Sequence, residues 1–144
     1  MVKFGLIGCG NMGTSHMQNM LSGCMPEFEL TAVADLKEAR RQAALEMFPN
    51  VKVYNDGSEL IASGEVDAVL VATPHYLHPT YAIEALNAGL HVLLEKPFTV
   101  TLDEAIEVMK AEKASGKVLS IGFQPRMDAN MIEIKKIVES GVLG

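Results

Sequence analysis

Apolar residues in this chain fall into short runs, separated by longer stretches in which they recur every three or four positions, and the alternation repeats from one end to the other. Residues 3–7, 30–34, 51–54, 68–72, 91–94 and 118–121 read as strands, and residues 12–21, 36–48, 58–63, 80–88, 102–114 and 131–139 as helices. Ala68-Val69-Leu70-Val71-Ala72 is apolar throughout, the mark of a strand covered on both faces. In the first helix Met17, Met20 and Leu21 are expected to point inward, and in the last Ile132, Ile134, Ile137 and Val138 form an amphipathic stripe with Met131. Gly89 and Gly116 close two helices, while Asp103 and Glu104 stand where the positive end of a helix favours acids. Six short strands alternating with helices predict an α/β fold: a doubly wound parallel sheet with helices on both faces. Ligands of such sheets lie at the carboxyl ends of the strands, so the residues just after each strand are the ones to inspect.

After the first strand the chain reads Gly8-Cys9-Gly10-Asn11-Met12-Gly13 and runs into a helix. Strand, glycine turn and helix in that order form the cradle a dinucleotide diphosphate needs. Gly8 permits the tight turn, Gly10 lets backbone approach the phosphates, and Gly13 lets the helix pack close to the strand. The helix start at Asn11 and Met12 then offers free N–H groups and about half a positive charge. A bare GxGxxG is a weak signal, but the second strand ends in Asp35, at about the 20-residue distance past the turn where a carboxylate accepts from ribose hydroxyls. Cys9, inside the turn, reads as a small filler.

Composition narrows the picture further. At 144 residues and 49% hydrophobic the chain is long and apolar enough for one cored domain. Twelve basic against 18 acidic residues give a net charge of −6, and no basic stripe offsets it, which argues against nucleic acid as a partner. No apolar run reaches the roughly 18 residues of a membrane span, and no signal peptide is read at the N-terminus, so a cytoplasmic protein is expected. Two cysteines, Cys9 and Cys24, do not make a disulfide framework. His75 and His78 are three apart but have no third ligand at metal spacing, so no metal is assigned. His78 reads as a structural or cofactor-edge residue, and His16 and His91 as packing or surface residues. The nine methionines read as core and gap fillers.

Val71-Ala72-Thr73-Pro74, His78, Ala88-Gly89-Leu90-His91-Val92 and Glu95-Lys96-Pro97 together resemble the Gfo/Idh/MocA family of NAD(P)-dependent oxidoreductases, over essentially the whole chain. The resemblance implies an N-terminal Rossmann domain followed by a C-terminal α/β domain, and activity on sugars, inositols and related polyols. It implies that Gly8, Cys9, Gly10, Asn11, Met12 and Gly13 form the diphosphate turn and that Asp35 binds ribose. It implies too that Thr73 and Pro74 line the cofactor, that Glu95 and Lys96 lie near the nicotinamide ribose and ring, and that Lys96 is the active-site lysine. It further implies a cis Lys96–Pro97 bond. Position 75, commonly asparagine in this family, is His75 here. Partial desolvation of Lys96 would keep it a short-range donor to the substrate oxygen.

Residues 1–121 are expected to form the dinucleotide-binding domain and 122–144 a linking helix toward a substrate domain outside this chain. The expected cofactor is NAD, because the Asp35 carboxylate accepts from a 2′-hydroxyl and repels a 2′-phosphate. NADP is the alternative, since Lys37, Arg40 or Arg41 could reach such a phosphate; the plainer reading places all three on the exposed face of the second helix. The partner would be a small sugar or polyol, with assembly as a homo-oligomer. A second reading is a stand-alone dinucleotide-binding module without catalysis. A third, a methyltransferase using S-adenosylmethionine, is disfavoured by the glycine spacing and the EKP element.

Overall fold

A computed structural model describes residues 1–144. Its strands are β1 (Val2–Ile7), β2 (Phe28–Ala34), β3 (Lys52–Tyr54), β4 (Ala68–Val71), β5 (His91–Leu94) and β6 (Leu119–Ile121). Its helices are α1 (Asn11–Leu21), α2 (Glu38–Met47), α3 (Gly57–Ala62), α4 (His78–Asn87), α5 (Leu102–Ser115) and α6 (Ala129–Glu139), with 3-10 turns at His75–Leu77 and Gln124–Met127. All six strands run parallel in one sheet, in the order β3-β2-β1-β4-β5-β6. The doubly wound sheet expected from the alternation is therefore present.

Strand periodicity sorts the core into two layers. Phe4 and Leu6 of β1, Leu30 and Val33 of β2, and Ala68 and Leu70 of β4 face Met17 of α1 and Ala44 of α2. Ile7, Ala32, Val69, Val71, Val92 and Leu94 face the other way, onto Leu60 and Ile61 of α3, Ala82 and Leu86 of α4 and Val108 of α5. Small residues on the helices let them lie close to the sheet. Helix ends are fixed locally. Thr101 and Glu104 form a reciprocal capping box at the start of α5, worth about 1 kcal/mol, and Gly116 ends that helix in the left-handed region. The main-chain N–H of Thr101 and Val100, bonding to Glu104, hold its carboxyl below the usual carboxylate range.

Several expectations need correction. β2 begins at Phe28, because Phe28 and Glu29 pair with Val2 and Lys3 although both are exposed. α2 begins at Glu38, which leaves Leu36 outside the helix. Leu21 is exposed, and of the nine methionines only Met17 is fully buried. Met12, Met109, Met127 and Met131 stand on outer helix and turn surfaces. Met131, Ile132, Ile134, Ile137 and Val138 of α6 are exposed too, and here no correction is needed, since such a stripe is expected to pack against a domain outside this chain. α6 packs mainly against the turn that precedes it, and Asp128 caps its first N–H groups. No helix is long and apolar enough to cross a membrane.

Candidate functional site

The chain moves outward from β1 through β2 to β3, then returns to place β4 on the other side of β1. Nothing crosses the carboxyl ends of β1 and β4, and the crevice there is the switch point of the sheet. Main-chain bonds carry the ladder one residue past each strand: Gly8 N–H to Ala34 O (2.8 Å), Ala72 N–H to Ile7 O (2.8 Å), Glu95 N–H to Val71 O (3.0 Å) and Gly122 N–H to Leu94 O (2.8 Å). These bonds place the residues following β1, β4, β5 and β6 along one edge.

Gly8 turns with φ +97°, and a Cβ on it would lie 2.7 Å from the Ala72 oxygen. A Cβ on Gly13 would overlap the Gly8 carbonyl oxygen. The turn therefore presses α1 against the end of β1. Gly10 is the N-cap of α1, and neither a side-chain cap nor an acid in the first turn satisfies the helix start. Asn11 and Met12 are exposed in the first turn of α1. Uncapped N–H groups at a buried turn are the arrangement that binds an anion.

Asp35, buried at the end of β2, accepts from the main-chain N–H of Cys9 (2.9 Å) at Oδ2 and from that of Lys37 (2.8 Å) at Oδ1. The Arg40 guanidinium lies 3.3 Å from Oδ2, and Arg41 donates to the Asp35 main-chain oxygen at 2.6 Å. Arg40 and Arg41 therefore fold back over Asp35 rather than standing on the outer face of α2. Carboxylates have about four acceptor positions, so Asp35 retains capacity at Oδ1 toward the crevice. The Cys9 thiol is pushed up to about 12, first by burial and then by the Asp35 charge, with Arg40 pulling the other way. Iodoacetamide at pH 8 is therefore expected to modify exposed Cys24 and leave Cys9 intact until the protein is unfolded. Peptide mapping of the labelled protein checks this; equal labelling of both thiols in the native state would contradict it.

Past β4, Thr73 and Pro74 line the same crevice as Gly8 and Asp35. Thr73 Oγ1 is buried and has no hydrogen-bond partner. His78 is buried, with Nδ1 2.8 Å from Pro97 O and Nε2 3.1 Å from Thr73 O, so it ties the segment after β4 to the segment after β5. His75 is exposed and stacks on the His78 ring at 5.8 Å between centroids. No group of three or more His, Cys, Asp or Glu is placed to hold a metal.

Past β5, Glu95 is buried and Lys96 and Pro97 are exposed, with the Lys96–Pro97 bond cis. Because Lys96 is exposed, these residues do not supply the desolvation expected of it. Glu95 accepts from His16 Nε2 at 2.7 Å, so His16 belongs to this edge and is not a packing or surface residue. Gln124 donates to the same carboxylate oxygen at 3.1 Å. Sequence reasoning also missed Leu36, Tyr76 and the Asp56–Tyr81 pair, all lining the crevice together with Arg40. Tyr81 donates to Asp56 at 3.0 Å, and burial followed by that bond raises its phenol.

An open helix start, a buried acid one strand away on one side and an orphaned hydroxyl one strand away on the other fit a dinucleotide, on the edge where a Rossmann fold binds one. The chain belongs to the oxidoreductase family with an NAD-binding Rossmann fold, GFO_IDH_MocA, whose pattern matches residues 2–123. It is 35% identical to the inositol 2-dehydrogenase of Salmonella typhimurium (strain LT2), over 99% of this chain and 43% of that protein. Its fold is similar to that of the WlbA dehydrogenase from Bordetella pertussis in complex with NADH and UDP-GlcNAcA (TM-score 0.89, 32% identity, 99% of this chain, 43% of that one). It is also similar to scyllo-inositol dehydrogenase from Lactobacillus casei with bound NAD(H) and scyllo-inositol (TM-score 0.90, 25% identity, 100% and 42%). The chain thus spans less than half the length of these relatives.

Proposed function

We propose that this chain is the NAD-binding part of an oxidoreductase that moves hydride between the nicotinamide and a sugar- or polyol-like secondary alcohol or ketone. The observation that carries the reading is the uncapped start of α1 behind Gly8, Gly10 and Gly13, with Asp35 one strand away. In this reading residues 1–121 form the cofactor domain and residues 122–144 lead to a substrate domain. The 2–123 extent of the family match and the separation of α6 from the sheet support that division.

The N–H groups of Asn11, Met12 and Gly13 take the diphosphate, and Gly8, Cys9 and Gly10 bring main chain against it. Asp35 accepts from the adenosine ribose through its free Oδ1 position. Thr73 Oγ1, otherwise without a partner, bonds the cofactor, and Pro74, His75 and His78 shape the middle of the cleft. Leu36 and Tyr76, large and exposed beside the crevice, cover the adenine. Glu95, Lys96 and Pro97 line the nicotinamide end. When bound, NAD supplies the hydride acceptor and NADH the donor. Lys96, free of any ion pair, holds the substrate oxygen by a hydrogen bond from its ammonium group. Relatives named for inositols and a nucleotide sugar support the substrate class.

The reading includes a homo-oligomer, supported by the apolar residues left exposed on α6, and a cytoplasmic setting, which two unpaired cysteines favour. Calorimetry of the 144-residue chain tests the core of it. One NAD+ is expected to bind per chain, more tightly than NADP+. Tighter NADP+ binding would overturn the cofactor assignment, and no binding of either would overturn the function.

A further inference from the structure

Glu95 is the buried carboxylate at the end of β5, and nothing in the cofactor reading requires the polar surroundings it has. Only 3% of it is exposed, yet its carboxylate carries three donors from three parts of the chain. His16 Nε2 of α1 lies 2.7 Å from Oε1, Gln124 Nε2 donates to the same oxygen at 3.1 Å, and the Lys96 main-chain N–H donates to Oε2 at 3.1 Å. A buried carboxylate without donors is costly, so these bonds fix its rotamer. Against an acceptor-only carboxylate, His16 Nε2 is the donor. The network therefore ties the middle of α1, whose N-terminus forms the diphosphate cradle, to the main chain that carries Lys96.

Its place on the sheet says which part of a dinucleotide it affects. Asp35 ends β2, on one side of the β1–β4 switch point, while Glu95 ends β5, on the other. A dinucleotide with adenosine at Asp35 and diphosphate at α1 continues over β4 and β5. We infer that His16 is a positioning residue for the nicotinamide ring of the cofactor: through Glu95 it sets the main chain at Lys96, and with it the ring, while the ADP-ribose part of the cofactor is indifferent to it. The inference rests on the dinucleotide reading above.

Three ligands separate this from a merely structural role. NADH, ADP-ribose and ADP are titrated calorimetrically into the wild-type chain, His16→Leu and His16→Gln. His16→Leu is expected to weaken NADH about 10-fold while ADP-ribose and ADP stay within about twofold, a loss of the size of one charge-assisted hydrogen bond. His16→Gln keeps an N–H donor and is expected to recover most of the NADH affinity. Wild-type protein provides a check that needs no substitution: the His16 ring resonances in NMR should move with NADH and stay in place with ADP-ribose. Equal weakening of all three ligands, no weakening of any, or ring shifts of the same size with ADP-ribose would overturn the role. Wild-type protein that binds neither NADH nor ADP-ribose would instead overturn the dinucleotide reading, and this inference with it.

Discussion

Replacing Gly13 by alanine is expected to unseat α1 and abolish measurable NAD binding. Two effects oppose each other. Alanine is the better helix former by about 1 kcal/mol, which favours the substitution. Its Cβ, however, would overlap the Gly8 carbonyl oxygen, and the atom behind that oxygen is backbone, so no rotamer change relieves the contact. Overpacking against side chains costs about 1–3 kcal/mol, and against a fixed main chain the cost lies at or beyond the top of that range. The overlap wins. Domains of this kind have about 5–15 kcal/mol of stability, so the variant is expected to fold with a lower melting temperature. The diphosphate cradle suffers more than the core, because relief requires α1 to move off β1 at the point where its N–H groups converge. Thermal denaturation and calorimetry on the same preparation check both parts. Wild-type affinity for NAD+ in a folded Gly13→Ala protein would contradict the cradle.

Replacing Asp35 by alanine is expected to reverse the cofactor preference. The carboxylate does two things at once: it offers an acceptor to a ribose hydroxyl, and it holds the Arg40 guanidinium at 3.3 Å and the Cys9 main-chain N–H at 2.9 Å. Removing it deletes a charged hydrogen bond to NAD+, which costs about 1.5–3 kcal/mol, or roughly 10- to 150-fold in affinity. It also releases Arg40, and with Lys37 and Arg41 nearby the site changes from one that repels a 2′-phosphate to one that attracts it. NADP+ is therefore expected to bind Asp35→Ala more tightly than NAD+ does, in a salt-dependent manner. The orphaned Cys9 N–H lowers stability by about 1–3 kcal/mol, which denaturant unfolding measures separately. Parallel losses for both cofactors would mean that Asp35 supports the fold and does not choose between them.

Much of this was legible in the chain because it is local. The apolar run at Ala68–Val71 declares a strand covered on both faces, and β4 is the strand whose four residues are all buried. Gly8, Gly10, Gly13 and Asp35 lie beside strand ends that the alternation already predicts. What was not legible depends on pairing between distant residues or on rotamers. His16 and Glu95 meet across 79 positions, and no periodicity within α1 marks His16 as a donor to a buried acid. Arg40 and Arg41 have the spacing of any solvated helix face; only Asp35, held at the neck of α2, draws them back. Phe28 extends β2 because β1 is there to pair with it, although its exposure gives no burial signal. The methionines carry equal hydrophobicity wherever they stand, so composition could not tell Met17 in the core from Met131 on α6.

Titration of the 15N-labelled chain with NAD+ reads the cradle residue by residue. The amides from Gly8 to Gly13, together with those of Asp35 and Thr73, are expected to shift along one saturable curve while those of α6 stay in place. Saturation that leaves the glycine amides unmoved, or shifts confined to residues away from the ends of β1, β2 and β4, would contradict the assignment of this crevice to the dinucleotide.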